Sequence, residues 1–177
     1  MKKSKLFALM TLGAVLFAGT TVGFATAAHA TPVFPVGYQY TYKIVNVNSG
    51  KVMDVDGSSS YNGGQLDQWD YLGIPSQKWV VRPTGDGVTY WITGASSGMN
   101  VENTEYGDGG RLQQSFQYTV PQQKWLINPV GDSYIIKNLQ TGNVIDVEFN
   151  KTDNGWHLHS WHYISGVQSQ LWKFVQI

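Results

Sequence analysis

Apolar and polar residues alternate along the chain in short bursts, and no stretch sustains a helical period. Tyr42-Lys43-Ile44-Val45 and Tyr134-Ile135-Ile136-Lys137 are β-branched and aromatic runs of the kind that form strands. Turn residues stand near such runs: Asn48-Ser49-Gly50, Ser96-Ser97-Gly98 and Gln140-Thr141-Gly142. A short strand and a Gly-rich loop come next. A further strand then ends at Trp69, Ser115 or Trp161, and a Gln-x-Trp triplet marks the last strand of each block. The pattern predicts an all-β chain of about twelve short strands, four per block.

The blocks are copies of one another. Gln77-Lys78-Trp79, Gln123-Lys124-Trp125 and Gln170-Leu171-Trp172 place their Trp residues 46 and 47 positions apart. Upstream stand Met53-Asp54-Val55, Met99-Asn100-Val101 and Ile145-Asp146-Val147, with 23, 23 and 24 residues from the Asp or Asn to the Gln. Asn62-Gly63-Gly64, Asp108-Gly109-Gly110 and Asn154-Gly155-Trp156 align between them. A unit of this size cannot bury its own apolar face, so three units must share a core. Closure around a pseudo-threefold axis, with Trp79, Trp125 and Trp172 in the middle, predicts a single-domain β-trefoil with repeats at about 40–83, 88–129 and 132–177. An open solenoid would need polar caps at both ends, and none is visible. Residues 31–39, with Pro32 and Pro35, read as a short N-terminal arm.

Residues 1–30 read as a secretory signal peptide. Lys2, Lys3 and Lys5 precede an apolar stretch, and Ala28-His29-Ala30 gives a cleavage site near Ala30. The protein is therefore expected to be secreted, without membrane insertion. Three of the 12 Lys and Arg lie in that leader, which leaves nine against 12 acidic residues and a net charge of −3. That balance disfavours nucleic acid. The chain has no Cys, so neither disulfides nor a thiol nucleophile enter.

Three Gln-x-Trp units, each with an upstream Asp-Val signature and an Asn-Gly loop, resemble the ricin-B-type β-trefoil lectins over about residues 40–177. The resemblance implies a trefoil fold, carbohydrate binding of galactose-type or polysaccharide glycans, no catalytic residues and no cofactor. In the plant members a disulfide often staples each unit; here packing must do so.

A sugar site needs an aromatic plate for the C–H face of a pyranose and carboxylate or amide groups for its hydroxyls. In unit one, Asp54 matches the family's sugar-gripping carboxylate and Trp69, 15 residues on, its stacking aromatic. Ser76 and Gln77 match its polar pair. Asp67, two before Trp69, shares a strand face with it. In unit three, Asp146, His159, Trp161, Ser169 and Gln170 form the corresponding set. Unit two reads as deficient: Asn100 replaces the Asp, and Ser115 stands where the plate belongs. Two shallow sites, in units one and three, are the expectation.

His157 and His159 would share a strand face, with His162 and Asp153 nearby, but the pair has no third ligand at fixed spacing, so no metal site is assigned. No carboxyl pair stands out as acid and base, and the reading is non-enzymatic. The alternative is a protein-binding trefoil, acting as a toxin-complex subunit or inhibitor with vestigial sugar sites. A toxin or enzyme partner protein is compatible with either.

Overall fold

The structure is a computed structural model that describes residues 34–177; the leader assigned to residues 1–30 and the first residues of the arm lie outside it. Twelve strands follow one another. Unit one contributes β1 (Tyr42–Asn46), β2 (Val52–Val55), β3 (Leu66–Trp69) and β4 (Trp79–Pro83). Unit two contributes β5 (Tyr90–Gly94), β6 (Asn100–Asn103), β7 (Gly110–Ser115) and β8 (Trp125–Val130). Unit three contributes β9 (Ser133–Asn138), β10 (Val144–Val147), β11 (Trp156–Trp161) and β12 (Trp172–Gln176).

The pairing repeats with threefold regularity. Within each unit the first and fourth strands meet at one matched pair: Tyr42 with Trp79, Tyr90 with Trp125, and Tyr134 with Trp172. Between units the barrel closes through β4–β5, β8–β9 and β12–β1. The hairpins β2–β3, β6–β7 and β10–β11 form a cap. Their outer strands meet through β3–β11, β7–β11 and a bridge from Gln65 to Gln113. Six barrel strands under three capping hairpins make a β-trefoil.

The core is built in triplets. Trp79, Trp125 and Trp172 are fully buried, and each indole N–H donates to a backbone carbonyl at 3.0 Å: those of Met53, Val101 and Ile145. Ile44, Ile92 and Ile136 form a second layer, and Leu66, Leu112 and Leu158 a third. A bonded indole buries a large apolar surface without leaving a polar atom stranded. The barrel's far end is lined by Tyr42, Val81, Tyr90 and Ile127, and the N-terminal arm packs there. Phe34 stacks on Phe174 at 4.4 Å between centroids, and the Tyr42 hydroxyl donates to the Pro35 carbonyl.

The Asn-Gly and Asp-Gly loops join the cap, each reaching into the next unit. Gly63, Gly109 and Gly155 donate their backbone N–H to the carbonyls of Gln114, Ser160 and Gln68. Asn62, Asp108 and Asn154 accept from the backbone N–H of Phe116, His162 and Asp70. Unit one thus braces two, two braces three, and three braces one. These glycines sit at positive φ, where a side chain would be strained.

Candidate functional site

Two hollows of matched position open on the cap. The unit-one hollow, of about 200 Å³, is lined by Asp54, Gly57, Ser58, Asp67, Trp69, Leu72 and Ile74. The unit-three hollow, of about 220 Å³, is lined by Asp146, Phe149, Asn150, His159, Trp161, Ile164 and Val167. In each, the carboxylate strand lies opposite its hairpin partner, so that Asp54 faces Asp67 and Asp146 faces His159 in register. Trp69 and Trp161 close one side as partly exposed plates. Gly155 of unit three backs the Trp69 ring, where a Cβ would come within 3.4 Å, and Gly109 of unit two backs Trp161. The neighbouring loop thus fixes the angle of the plate.

Gln77 and Gln170 lie behind the hollows and not in them. Gln77 is fully buried, and its amide donates to the Asp54 carboxylate at 2.9 Å and to the Asp70 carbonyl, while its oxygen accepts from Leu72 N–H. Gln170 repeats this with Asp146, the His162 carbonyl and Ile164 N–H. Both amide groups are spent inside the protein, so these glutamines hold the carboxylates in place. Ser76 hydrogen-bonds Ser58 and lines a neighbouring hollow. Ser169 is buried and bonded to Asn150. The sequence brought all four into the site; the structure puts Asp54, Asp67, Trp69, Asp146, His159 and Trp161 at the hollows and the other four around them.

The two hollows have different electrostatics. Burial, with the charges of Asp54 and Asp56, raises the Asp67 carboxyl from its ordinary range to about 7. Asp67 is 2% exposed, and its Oδ1 has no hydrogen-bond partner among the described residues. In unit three, Asp146 Oδ1 is likewise buried and unpartnered. His159 stacks on Trp161 with centroids 5.3 Å apart, and its Nε2 stands 3.7 Å from the Asp146 carboxylate. At the rims, hydrogen bonds from Lys51 and Asn154 hold the Asp70 carboxyl below its usual range, and His162 does the same for Asp108. Among the described residues no three His, Asp or Glu side chains gather as a metal site would require.

One residue the sequence reasoning missed is Phe149. It is 77% exposed on the unit-three rim and holds φ 55°, at the place where unit one has Gly57. An aromatic residue at a left-handed turn position is a costly choice for packing alone.

Unit two requires a correction. Asn100 does not occupy the Asp54 position. The Trp125 indole bonds the Val101 carbonyl, as Trp79 bonds that of Met53. The Gln123 amide bonds the Glu102 carboxylate, as Gln77 bonds that of Asp54. Glu102 faces Gln113 across the hairpin, as Asp54 faces Asp67. The true equivalent is therefore Glu102, two residues further on, and the carboxylate is not lost. Both of its oxygens are engaged, by Gln123 and Gln113. Ser115 does stand at the plate position, facing Asn100 as Trp69 faces Val52. Phe116 is exposed next to it, its backbone N–H tied to Asn62.

The sequence matches the family model described as "Ricin-type beta-trefoil lectin domain-like" over residues 33–115. The fold is similar to a designed three-fold symmetric protein, ThreeFoil, with a TM-score of 0.74 and 28% identity over 77% of this chain and 99% of that one. It is similar to part of an exo-β-1,3-galactanase from Clostridium thermocellum, with a TM-score of 0.76 and 32% identity over 81% of this chain and 31% of the enzyme. It also matches a Macrolepiota procera ricin B-like lectin solved with lactose, with a TM-score of 0.69 and 23% identity over 81% of this chain and all of that one. No curated protein matches it in sequence. The chain is a β-trefoil that resembles the ricin B-like lectins, as its Gln-x-Trp units suggest, and residues 33–115 match the model of that family.

Proposed function

We propose that the protein is a secreted, non-enzymatic lectin that holds galactose-type glycans in two shallow sites, in units one and three. The observation that carries this is the pairing of a partly exposed Trp plate with a buried carboxylate oxygen that no described residue satisfies. Asp67 Oδ1 and Asp146 Oδ1 are such atoms, one in each hollow. An unsatisfied buried acceptor costs about 1–3 kcal/mol, and a sugar hydroxyl would offset that cost. Stacking of the C–H face on Trp69 or Trp161 supplies the apolar contact.

The likeness to a lactose-bound lectin and to part of a β-1,3-galactanase supports galactose as the first sugar to test. Two sites on one rigid body raise avidity toward clustered glycans. The basic and apolar leader supports export.

The test is a glycan array with the wild-type protein and the Asp54→Ala/Asp146→Ala double variant. Binding to galactose-terminated glycans that the double variant loses is the expected result. A folded protein that binds no glycan would overturn the reading in favour of a protein-binding trefoil.

A further inference from the structure

The same notch occurs at more than one seam between units, and the structure fills it differently each time. At the seam of units three and one it is plugged. Asn48 donates to the Asn150 carbonyl at 3.0 Å, and Asn46 donates to the Ser169 carbonyl at 2.8 Å. Ser169 bonds Asn150, and Ser49 donates to the Gln68 side-chain oxygen at 2.7 Å. Their counterparts lie at the seam of units one and two, and there smaller residues replace the three asparagines. Gly94 stands for Asn46, Ser96 for Asn48, Ser58 for Asn150 and Ser76 for Ser169.

The result is an open hollow of about 270 Å³, larger than either plate site. Its floor is Gln114, the counterpart of Gln68. The Gln114 amide donates to the carbonyls of Ser59 and Tyr61, just as Gln68 does to those of Lys151 and Asp153. Its side-chain oxygen, however, receives no hydrogen bond among the described residues, although Gln114 is 1% exposed. Ser58, Ser59, Ser60, Ser76, Ser96 and Ser97 line the same hollow, with Val55, Pro75 and Gly94 between them, and no charged or aromatic side chain lines it. Ser58 also lines the Trp69 hollow, so the two cavities share a wall.

We infer that this serine-lined notch is a second subsite of the unit-one site. It takes the next residue of a neutral glycan chain whose first residue lies over Trp69. The chemistry is that of hydroxyl recognition: serine hydroxyls act as donors and acceptors, and the unspent Gln114 oxygen accepts from the glycan. Charged ligands find no counter-ion there. The unit-three site has no such extension, because the asparagine plug occupies its counterpart. Unit one therefore reads chains, and unit three reads single terminal residues. The inference rests on the lectin reading above.

The test transplants the plug. Gly94→Asn/Ser96→Asn copies Asn46 and Asn48 into the seam, and neither position lines the Trp69 hollow. Gly94 is not at positive φ; a Cβ there would stand 2.5 Å from the Ser97 hydroxyl, which must swing toward Gln114 as its counterpart Ser49 swings toward Gln68 beside Asn46. With Trp161→Ala as background to silence unit three, methyl β-galactoside and β-1,3-galactobiose are titrated by calorimetry. The disaccharide is expected to bind about tenfold more tightly than the monosaccharide, the worth of one or two net hydrogen bonds. The plugged variant should lose that factor and keep its affinity for the monosaccharide. Ser96→Asn alone, an exposed change, guards against a folding defect and should lose part of it. Equal affinity for the two sugars, or a plugged variant that retains the gain, overturns the subsite and leaves the lectin reading standing. Binding of neither sugar by any version of the folded protein overturns both.

Discussion

Unit one and unit three carry their sites on the same frame, and two of the differences between them change the chemistry of the hollow most. The frame is the carboxylate at Asp54 or Asp146, the buried glutamine behind it, the Trp plate and the glycine of the adjoining unit that backs the plate. Those two differences are Asp67 against His159 on the hairpin and Gly57 against Phe149 on the loop. Each glutamine of the frame makes two hydrogen bonds to the backbone and one to its carboxylate, and each backing glycine packs against its plate. The differing residues face the hollow. Evolution of a ligand preference on this fold can thus proceed at the second pair of positions without disturbing the first.

The sharpest way to break this division is to attack the frame. Gln170→Ala strands the Ile164 N–H, the His162 carbonyl and one Asp146 oxygen together. It should cost about 3 kcal/mol of stability by urea denaturation, and Gln77→Ala should cost a similar amount. A loss much below 1 kcal/mol would mean that the glutamines are free for ligand and are not part of the frame.

The hairpin difference has a pH signature. The Asp67 carboxyl titrates near 7 in the folded protein and near 4 in the unfolded chain. The folded state keeps its proton where the unfolded state has released it. The stability that Asp67 contributes is therefore fullest below about pH 4, declines as pH rises toward 7, and levels off above that, so it is read as the difference between wild type and a variant at that position. Asp67→Asn should flatten the decline and leave the variant about 2 kcal/mol more stable than wild type at pH 8. Denaturation curves at pH 4, 6 and 8 would read this directly. Changing His159 in unit three should leave that acid-side decline in place.

The loop difference is the subtlest. Phe149→Ala removes an exposed aromatic wall from unit three alone. A drop in affinity of about fivefold, near 1 kcal/mol, is expected at that site. The unit-one site, measured in a Trp161→Ala background, should be unaffected. Loss of fold stability in place of affinity would make Phe149 a packing residue against Trp156, whose ring it meets edge-on.

Much of this frame was legible in the sequence, because threefold repetition multiplies a weak signal. Three Trp at near-equal spacing announce a shared core, and the Asp–Trp spacing of units one and three marks their hollows. The register of unit two was misread for a physical reason. Strand side chains alternate with a period of two, so a slip of two residues returns every side chain to its own face. Met99 and Val101 are both buried, and hydrophobic pattern cannot choose between them. The indole and glutamine hydrogen bonds, with the register of the hairpin, fix Glu102 as the counterpart of Asp54. The role of Gln77 and Gln170 was equally hidden, since an amide's partners are a matter of tertiary geometry. The serine notch depends on which residues of two units meet across a seam, and no single unit contains that information.

The pairing of β1 with β12 has a kinetic meaning. The first barrel strand finds this partner only among the last residues, with Tyr42 opposite Gln176. Each unit also waits on another for the loop that braces its hairpin. Few of these contacts are local, so the ring closes late and the chain folds slowly for its size. Once closed, it opens at no single weak edge: the first strand cannot fray without releasing the last. Such a molecule is expected to resist proteolysis through slow unfolding.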